Sequence, residues 1–308
     1  MTEANAFDII IIGTGPAGLT AALYGQRLGL RCVVFGDIPG GNLYMVDNLA
    51  NFPGFPGGIP GTEWGVKTFQ QAQTEGAMFT MGRLESLSQD GNTFSGTDVN
   101  GIRYSAPCAI VASGRVPRKL PVTQSEMKGV NFCSVCDGPL FRGKNATLAV
   151  VGSDNAAAQH ALTLSRIAEK VFVIYRSPQM IMDASHRERL AGQDSIELMP
   201  GTEVTGYVGL DLVEAIEIAA PSGGTGTLSV DGVFLAIGWT PNTDMVKMPV
   251  ETIDGGYLKT DGKLMTSVPG MFAAGDVRDT DLYQVLTGCA DGARCALNAA
   301  RFIKKTLP

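Results

Sequence analysis

The chain has 308 residues, room for one large or two medium domains around a sizeable buried core. Hydrophobic residues make up 44% and charged residues 18%, the ordinary balance of a globular protein. A net charge of −6 argues against a basic nucleic-acid-binding surface.

The first eight residues carry no basic segment and no cleavable apolar stretch, so no secretory signal is expected. The apolar run Ile9–Ile12 is too short to span a membrane. A cytoplasmic location is therefore expected, with no membrane and no nucleic acid among the partners. In that compartment the six cysteines are poor candidates for static cross-links. Cys32 and Cys108 lie in apolar, strand-like runs and read as small buried hydrophobes, as do Cys289 and Cys295 in a C-terminal helix. Many of the 39 glycines fall in turns between short apolar runs, the habit of an α/β protein.

Phe7–Ile12 predicts a strand, Gly13-Thr-Gly-Pro-Ala-Gly18 a tight turn, Leu19–Leu28 a helix and Cys32–Phe35 a second strand. The turn matches G-x-G-x-x-G with a strand before it and a helix after it, the context in which this pattern binds a dinucleotide. Gly13 permits the turn, Gly15 lets backbone approach a pyrophosphate, and Gly18 lets helix and strand pack closely. The helix N-terminus then faces the phosphates. The acid expected after the second strand is displaced: Gly36 stands there and Asp37 follows one place on.

Further along, Cys133-Ser-Val-Cys136-Asp137 places two thiols two residues apart with a carboxylic acid beside the second. Such a pair can close into a small exchangeable disulfide. Zinc would need a second pair of ligands. Cys289 and Cys295 are too widely spaced, and His160 and His186 do not cluster with any cysteine, so no metal is expected.

The opening pattern then recurs. Thr147–Val151 predicts a strand, Gly152-Ser-Asp-Asn-Ala-Ala157 a turn, Ala158–Ile167 a helix and Val171–Ile174 a strand. The span from Gly13 to Gly36 equals that from Gly152 to Tyr175, which suggests two nucleotide-binding-type domains. Near the C-terminus, Thr266–Ala274 predicts a strand ending in Gly275-Asp276, with a helix following through about Lys305. An acid there can bond sugar or ribityl hydroxyls of a long cofactor.

Gly13-Thr-Gly-Pro-Ala-Gly18, Gly40-Gly-Asn-Leu43, Asn51-Phe-Pro-Gly54, Ala112-Ser-Gly114, Cys133-Ser-Val-Cys136-Asp137-Gly138, Ala236-Ile-Gly238 with Pro241-Asn242, and Ala273-Ala-Gly-Asp276 occur here in this order. In these the chain resembles the low-molecular-weight thioredoxin reductases over essentially its whole length. The resemblance implies an α/β protein of two Rossmann-like three-layer domains, the second inserted into the first. Residues 1–115 and 245–308 would bind FAD, and residues 116–244 would carry the CxxC motif. It also implies a homodimer and a thioredoxin-like protein as partner. FAD would lie on Gly13, Gly15, Pro16, Ala17, Gly18, Asp37, Gly41, Asn42, Leu43, Asn51, Ala112, Ser113, Gly114, Gly275, Asp276, Tyr283 and Gln284. Cys136 would lie against the flavin, Cys133 would attack the partner disulfide, and Asp137 would serve as general acid.

The chain departs from that family at its second nucleotide site. Asp154 stands where the family has glycine, so a side chain and a negative charge meet the pyrophosphate position. The basic run that reads a 2′-phosphate is reduced to Tyr175-Arg176-Ser177, and Pro178–Met182 supplies no second arginine, which leaves Arg187 and Arg189 as the remaining candidates to compensate. Tyr283-Gln284 replaces an Arg-Gln pair near the expected flavin edge, where a tyrosine can fill the space a nicotinamide needs.

NADPH is therefore doubtful as donor, and reduced ferredoxin or a second flavin is the expected replacement. A plant-type ferredoxin near −400 mV and a thioredoxin near −270 mV leave a drop of about 130 mV, roughly 6 kcal/mol for two electrons. The alternatives are an FAD-dependent dithiol oxidase using oxygen, an ordinary NADPH-dependent thioredoxin reductase, and an FAD-holding redox sensor without turnover.

Overall fold

The computed structural model describes residues 5–46, 48–49, 51–122, 127–220 and 223–306, and of Met81, Val135, Cys136 and Thr306 the backbone alone. The chain divides into two units, Met1–Val116 with Thr240–Pro308, and Pro117–Trp239. The first unit opens with β1 Ile9–Ile12, α1 Pro16–Arg27, β2 Cys32–Gly36, α2 Gly61–Thr74, β3 Met78–Met81, β4 Leu84–Asp90, β5 Thr93–Asp98, β6 Arg103–Ala106, β7 Cys108–Val111 and β8 Arg115–Pro117. There follow β9 Val130–Asn131, α3 Ser134–Asp137, β10 Thr147–Val151, α4 Asn155–Leu164, β11 Lys170–Tyr175, α5 Ala184–Ala191, β12 Ile196–Pro200, β13 Glu203–Val208, β14 Ala215–Ala219, β15 Thr225–Ser229 and β16 Gly232–Leu235. The chain returns to the first unit by way of β17 Trp239–Pro241, β18 Met271–Ala273 and α6 Val285–Thr306.

The central sheet of the first unit runs β18-β7-β1-β2-β3, parallel throughout. Both of its faces are covered, which is why β1 can be four consecutive isoleucines. Side chains alternate across a strand. Ile9 and Ile11 join Ala17, Ala21, Cys295 and Ala299 on the helical side. Ile10 and Ile12 join Leu84, Leu87, Phe94 and Tyr104 beneath the antiparallel β4-β5-β6 meander.

The second unit repeats the plan. Its parallel sheet runs β12-β11-β10-β16-β9. Leu148 and Val150 pack under α4 against Ala157, Ala158 and Ala161. Ala149 and Val151 face Val204, Tyr207 and Ile216 from the β13-β14-β15 meander. Each unit is thus a three-layer, Rossmann-like α/β domain.

Helix boundaries differ from the sequence expectation for local reasons. α1 begins at Pro16 because proline suits the first helical position, and α4 begins at Asn155 because Asp154 caps it. The helix expected directly after Gly275-Asp276 starts only at Val285; a 3-10 turn, Gly275–Val277, and an irregular stretch intervene. That stretch is held by tertiary bonds instead: Asp279 N–H donates to the Leu258 carbonyl (3.0 Å), and Thr260 Oγ1 donates to the Asp279 carboxylate (2.8 Å).

α1 and α6 approach closely because α6 presents Gly288 and Gly292 to Ala17. A Cβ on Gly292 would overlap the Ala17 carbonyl. In an exposed helix Gly→Ala stabilises by about 1 kcal/mol; here overpacking, typically about 1–3 kcal/mol, reverses the sign. Gly292→Ala is expected to lower the melting temperature by several degrees, at about 2–4 °C per kcal/mol for domains of about 150–250 residues. An unchanged or raised melting temperature would contradict this packing.

Candidate active and nucleotide-binding sites

The first glycine turn divides its labour among three glycines. Gly13 has φ +116°, a value L side chains rarely adopt, and a Cβ there would overlap the Ala112 carbonyl. A Cβ on Gly18 would overlap the Gly13 carbonyl. These two residues fix how α1 sits on β1 and β7. A Cβ on Gly15, by contrast, would meet nothing nearer than the Gly40 carbonyl at 4.0 Å. No side chain caps α1, so its first amides are uncommitted beside that open face. Open space over free helical N–H groups is what a dinucleotide pyrophosphate requires, and the residues fit FAD.

Other expected cofactor residues gather around this turn. Gly40 N–H donates to the Thr14 carbonyl (2.8 Å), and a Cβ on Gly41 would come within 3.1 Å of Gly15 Cα. Pro16 opens α1, and Ala17 faces Gly275, whose own Cβ would sit 3.0 Å from it. Asn42 Nδ2 donates to the Arg115 carbonyl (2.8 Å), and Leu43 is buried in a small cluster with Trp64. Asn51 Nδ2 donates to Gln284 Oε1 (2.8 Å), joining two residues far apart in sequence. Ala112 N–H donates to the Ile12 carbonyl, Ser113 Oγ to the Asn242 carbonyl, and the Gly114 carbonyl accepts from Asn242 N–H (3.0 Å). Asp37 is engaged elsewhere: its exposed carboxylate pairs with Arg83 Nε at 2.6 Å.

Asp276 and Tyr283 meet through a residue that sequence reasoning passed over. Arg115 donates from Nε and Nη2 to Asp276 Oδ2 (3.2 and 3.1 Å), and its guanidinium lies 3.9 Å from the centre of the Tyr283 ring. Tyr257 flanks the same ring at 5.9 Å. Burial pushes the Asp276 carboxyl up, against the downward pull of Arg115. Burial, followed by the neighbouring Tyr257, raises the Tyr283 phenol. Tyr283 is therefore a braced ring, not a free surface tyrosine. The available signal was the position of Arg115 directly after the Ala112-Ser-Gly114 turn. Asp291 was also missed; it accepts from the Gly275 N–H and from Arg278 Nη1, each at 3.2 Å.

In the second unit Cys133 is disulfide-bonded and stands directly before the single turn α3. The backbone of Cys136 lies in that turn; its side chain is outside the described ones. Asp137 closes the turn, its N–H donating to the Cys133 carbonyl at 3.0 Å, and desolvation raises its carboxyl above the ordinary value. Cys32, Cys108, Cys289 and Cys295 are free thiols.

The second glycine turn keeps the packing glycine and loses the open face. A Cβ on Gly152 would overlap the Ala236 carbonyl, the counterpart of Gly13 on Ala112. The Asp154 carboxylate then turns back onto its own helix: Oδ1 accepts from the Ala156 and Ala157 amides at 3.0 and 3.1 Å. These are the amides an incoming pyrophosphate would use. The following segment folds across the turn, with Ile181 N–H on the Ser153 carbonyl (2.7 Å) and a reciprocal pair of bonds between Asn155 and Asp183. A cleft of about 390 Å³ remains beside Asp154, Tyr175, Arg176 and Glu203. Arg176 is the one cation among the described residues lining it, and its Nη1 lies 3.4 Å from Glu203 Oε1. Arg187 and Arg189, candidates to compensate, do not line this cleft.

Among the described residues no cluster of three metal-ligating side chains occurs, and no helix is long and apolar enough to cross a membrane. The family model of the pyridine nucleotide-disulphide oxidoreductases matches residues 7–298. The thioredoxin reductase of Listeria monocytogenes serovar 1/2a is 33% identical over 310 residues, 99% of this chain and 96% of that protein. The Lactococcus lactis thioredoxin reductase structure (FR conformation) superposes with a TM-score of 0.83 at 27% identity, covering 97% of this chain and 99% of that one. A ferredoxin-flavin thioredoxin reductase from Clostridium acetobutylicum matches with a TM-score of 0.55 at 26% identity, covering 97% and 98%. The chain belongs to the pyridine nucleotide-disulphide oxidoreductases, in the low-molecular-weight thioredoxin reductase branch, and is an FAD-dependent disulfide oxidoreductase.

Proposed function

We propose that this enzyme reduces the disulfide of a thioredoxin-like protein and draws its electrons from a donor other than NADPH, a low-potential carrier of the reduced-ferredoxin kind. The observation that carries the donor reading is the Asp154 carboxylate bonded to the Ala156 and Ala157 amides. A nucleotide would have to displace it and forgo two charge-assisted bonds, each worth about 1.5–3 kcal/mol. Asp154 is exposed, so water and salt screen its direct repulsion and the loss of donors is the larger effect. Together this is about 3–6 kcal/mol, a factor of roughly a hundred to ten thousand in affinity. The engagement of Arg176 with Glu203 removes a further anchor for a 2′-phosphate. The name of the Clostridium acetobutylicum relative supports the same reading.

Gly13, Gly15 and Gly18 with the α1 N-terminus would hold the FAD pyrophosphate, and Asp276 and Arg115 would face its sugar-alcohol and ring portions. Bound FAD supplies the two-electron couple that reduces the Cys133–Cys136 disulfide. The Cys133 thiolate then attacks a sulfur of the partner disulfide, forming a mixed disulfide and expelling one partner thiolate. The Cys136 thiolate attacks Cys133 in that intermediate, re-forming the internal disulfide and releasing the second partner thiolate. Asp137 protonates a departing thiolate, a task suited to a carboxyl whose burial keeps its proton to a higher pH than usual.

Anaerobic titration with NADPH, NADH and reduced ferredoxin, following flavin absorbance, tests the donor. Reduced ferredoxin is expected to bleach the flavin, and NADPH at about 100 µM is expected to leave it oxidised; rapid bleaching by micromolar NADPH would sink the donor reading. Asp154→Gly is expected to tighten NADPH binding at least about tenfold, without full recovery because the arginine pair is still absent.

Cys136→Ser is expected to abolish disulfide turnover while FAD stays bound. Asp137→Asn should slow disulfide exchange and stabilise the fold toward neutral pH. The sign follows from a raised folded-state pKa: wild-type Asp137 costs nothing below its ordinary value of 3.8, and stability is lost as pH rises through the higher folded value. Urea midpoints of the two proteins should converge in acid and separate above it, with the variant ahead.

A further inference from the structure

The outer face of the second unit holds a separate basic notch between α4 and α5. Gln159, Leu162, Thr163 and Arg166 recur at the spacing of one helix face along α4 and the turn after it, and His186 and Arg189 do so on α5. These six residues line a cavity of about 310 Å³ that shares no residue with the cleft beside Asp154. Packed helices ordinarily meet through apolar side chains; here the floor is Leu162 and the walls are cationic or polar.

The charges in the notch are unanswered. Among the described residues no carboxylate lines it. Arg27, Arg83, Arg115, Arg176, Arg278 and Arg294 all have acidic partners. Among the described residues the side chains of Arg166 and Arg189 make no hydrogen bond, ion pair or ring contact, although the chain as a whole carries −6. His186 Nδ1 is sealed from solvent and makes no hydrogen bond, the nearest carboxylate oxygen being Asp183 Oδ2 at 4.0 Å. Thr163 directs its proton to the Gln159 carbonyl (2.8 Å). The donors left for a ligand are therefore two guanidinium forks, one imidazole N–H and the Gln159 amide NH2; the two always-charged forks match the acceptor-only oxygens of a phosphate group.

We infer that this notch binds the phosphate group of a small molecule, at a site distinct from the redox and nucleotide positions. The guanidiniums of Arg166 and Arg189 grip the phosphate oxygens, with His186 closing the α5 side. The volume suits a phosphate or pyrophosphate with a short organic substituent rather than a whole dinucleotide.

The chain has two histidines, so histidine-selective NMR of the FAD-loaded protein reads the site directly. His186→Asn assigns the signals, since the resonance it removes is that of His186. Orthophosphate, pyrophosphate and ribose 5-phosphate are titrated separately at fixed pH and ionic strength, with chloride as the control. The His186 signal is expected to shift saturably with at least one phosphate probe and not with chloride; the tightest probe distinguishes a free phosphate from a phosphate ester. Arg166 and Arg189 are exposed, so the double variant Arg166→Gln with Arg189→Gln should fold and keep FAD. Its affinity for the tightest probe is expected to fall at least about tenfold, the loss of charge-assisted bonds. A His186 signal indifferent to every phosphate probe, a linear non-saturating drift, or equal affinity in the double variant would overturn the assignment.

Discussion

Both units depend on one constraint, a βα turn that must pass within touching distance of a neighbouring strand's carbonyl. In the first unit Gly13 lies against Ala112, and in the second Gly152 lies against Ala236. No residue with a Cβ can stand at either place without moving the strand. The turn directs each following helix over its parallel sheet and brings the helix N-terminus to the carboxyl end of the strands, where ligands of this architecture bind. The alternating cores above and below β1 and β10 then lock that placement.

What distinguishes the two turns is a single later position. Gly15 and Asp154 occupy equivalent places, one leaving helical amides open and the other satisfying them internally. An N-cap aspartate stabilises a helix by about 1 kcal/mol, so the second unit gains local stability from the residue that obstructs an anion. The same trade recurs at the strand end, where Arg176 pairs with Glu203 instead of standing free.

The repeated strand–turn–helix–strand pattern was legible because its cause is local: apolar runs buried on both faces, glycines at fixed offsets, and equal spans between them. The cysteine pair and its neighbouring acid were legible for the same reason. Local patterning could not reveal pairings made across the chain. Asn51 meets Gln284, Arg115 meets Asp276 and Tyr283, and Asp291 meets Gly275, contacts created by the sheet order β18-β7-β1-β2-β3. The late start of α6 belongs to this class, since tertiary bonds to Leu258 and from Thr260 hold Asp279 outside the helix. The pairing of Asp37 with Arg83 is another contact made across the chain. For Asp154 the residue was readable, but the direction of its carboxylate needed coordinates.

The free thiols, three buried and Cys289 half-buried, have a consequence for chemical fidelity. Desolvation pushes Cys32 and Cys108 up to about 12 and raises Cys289 and Cys295 as well. Thiolate is the species that exchanges, so the raised pKa values disfavour exchange at these four sulfurs. A protein that opens and closes one sulfur–sulfur bond must not shuffle it onto bystanders. Here the hydrocarbon interior acts as insulation, confining exchange to the one place where it is useful.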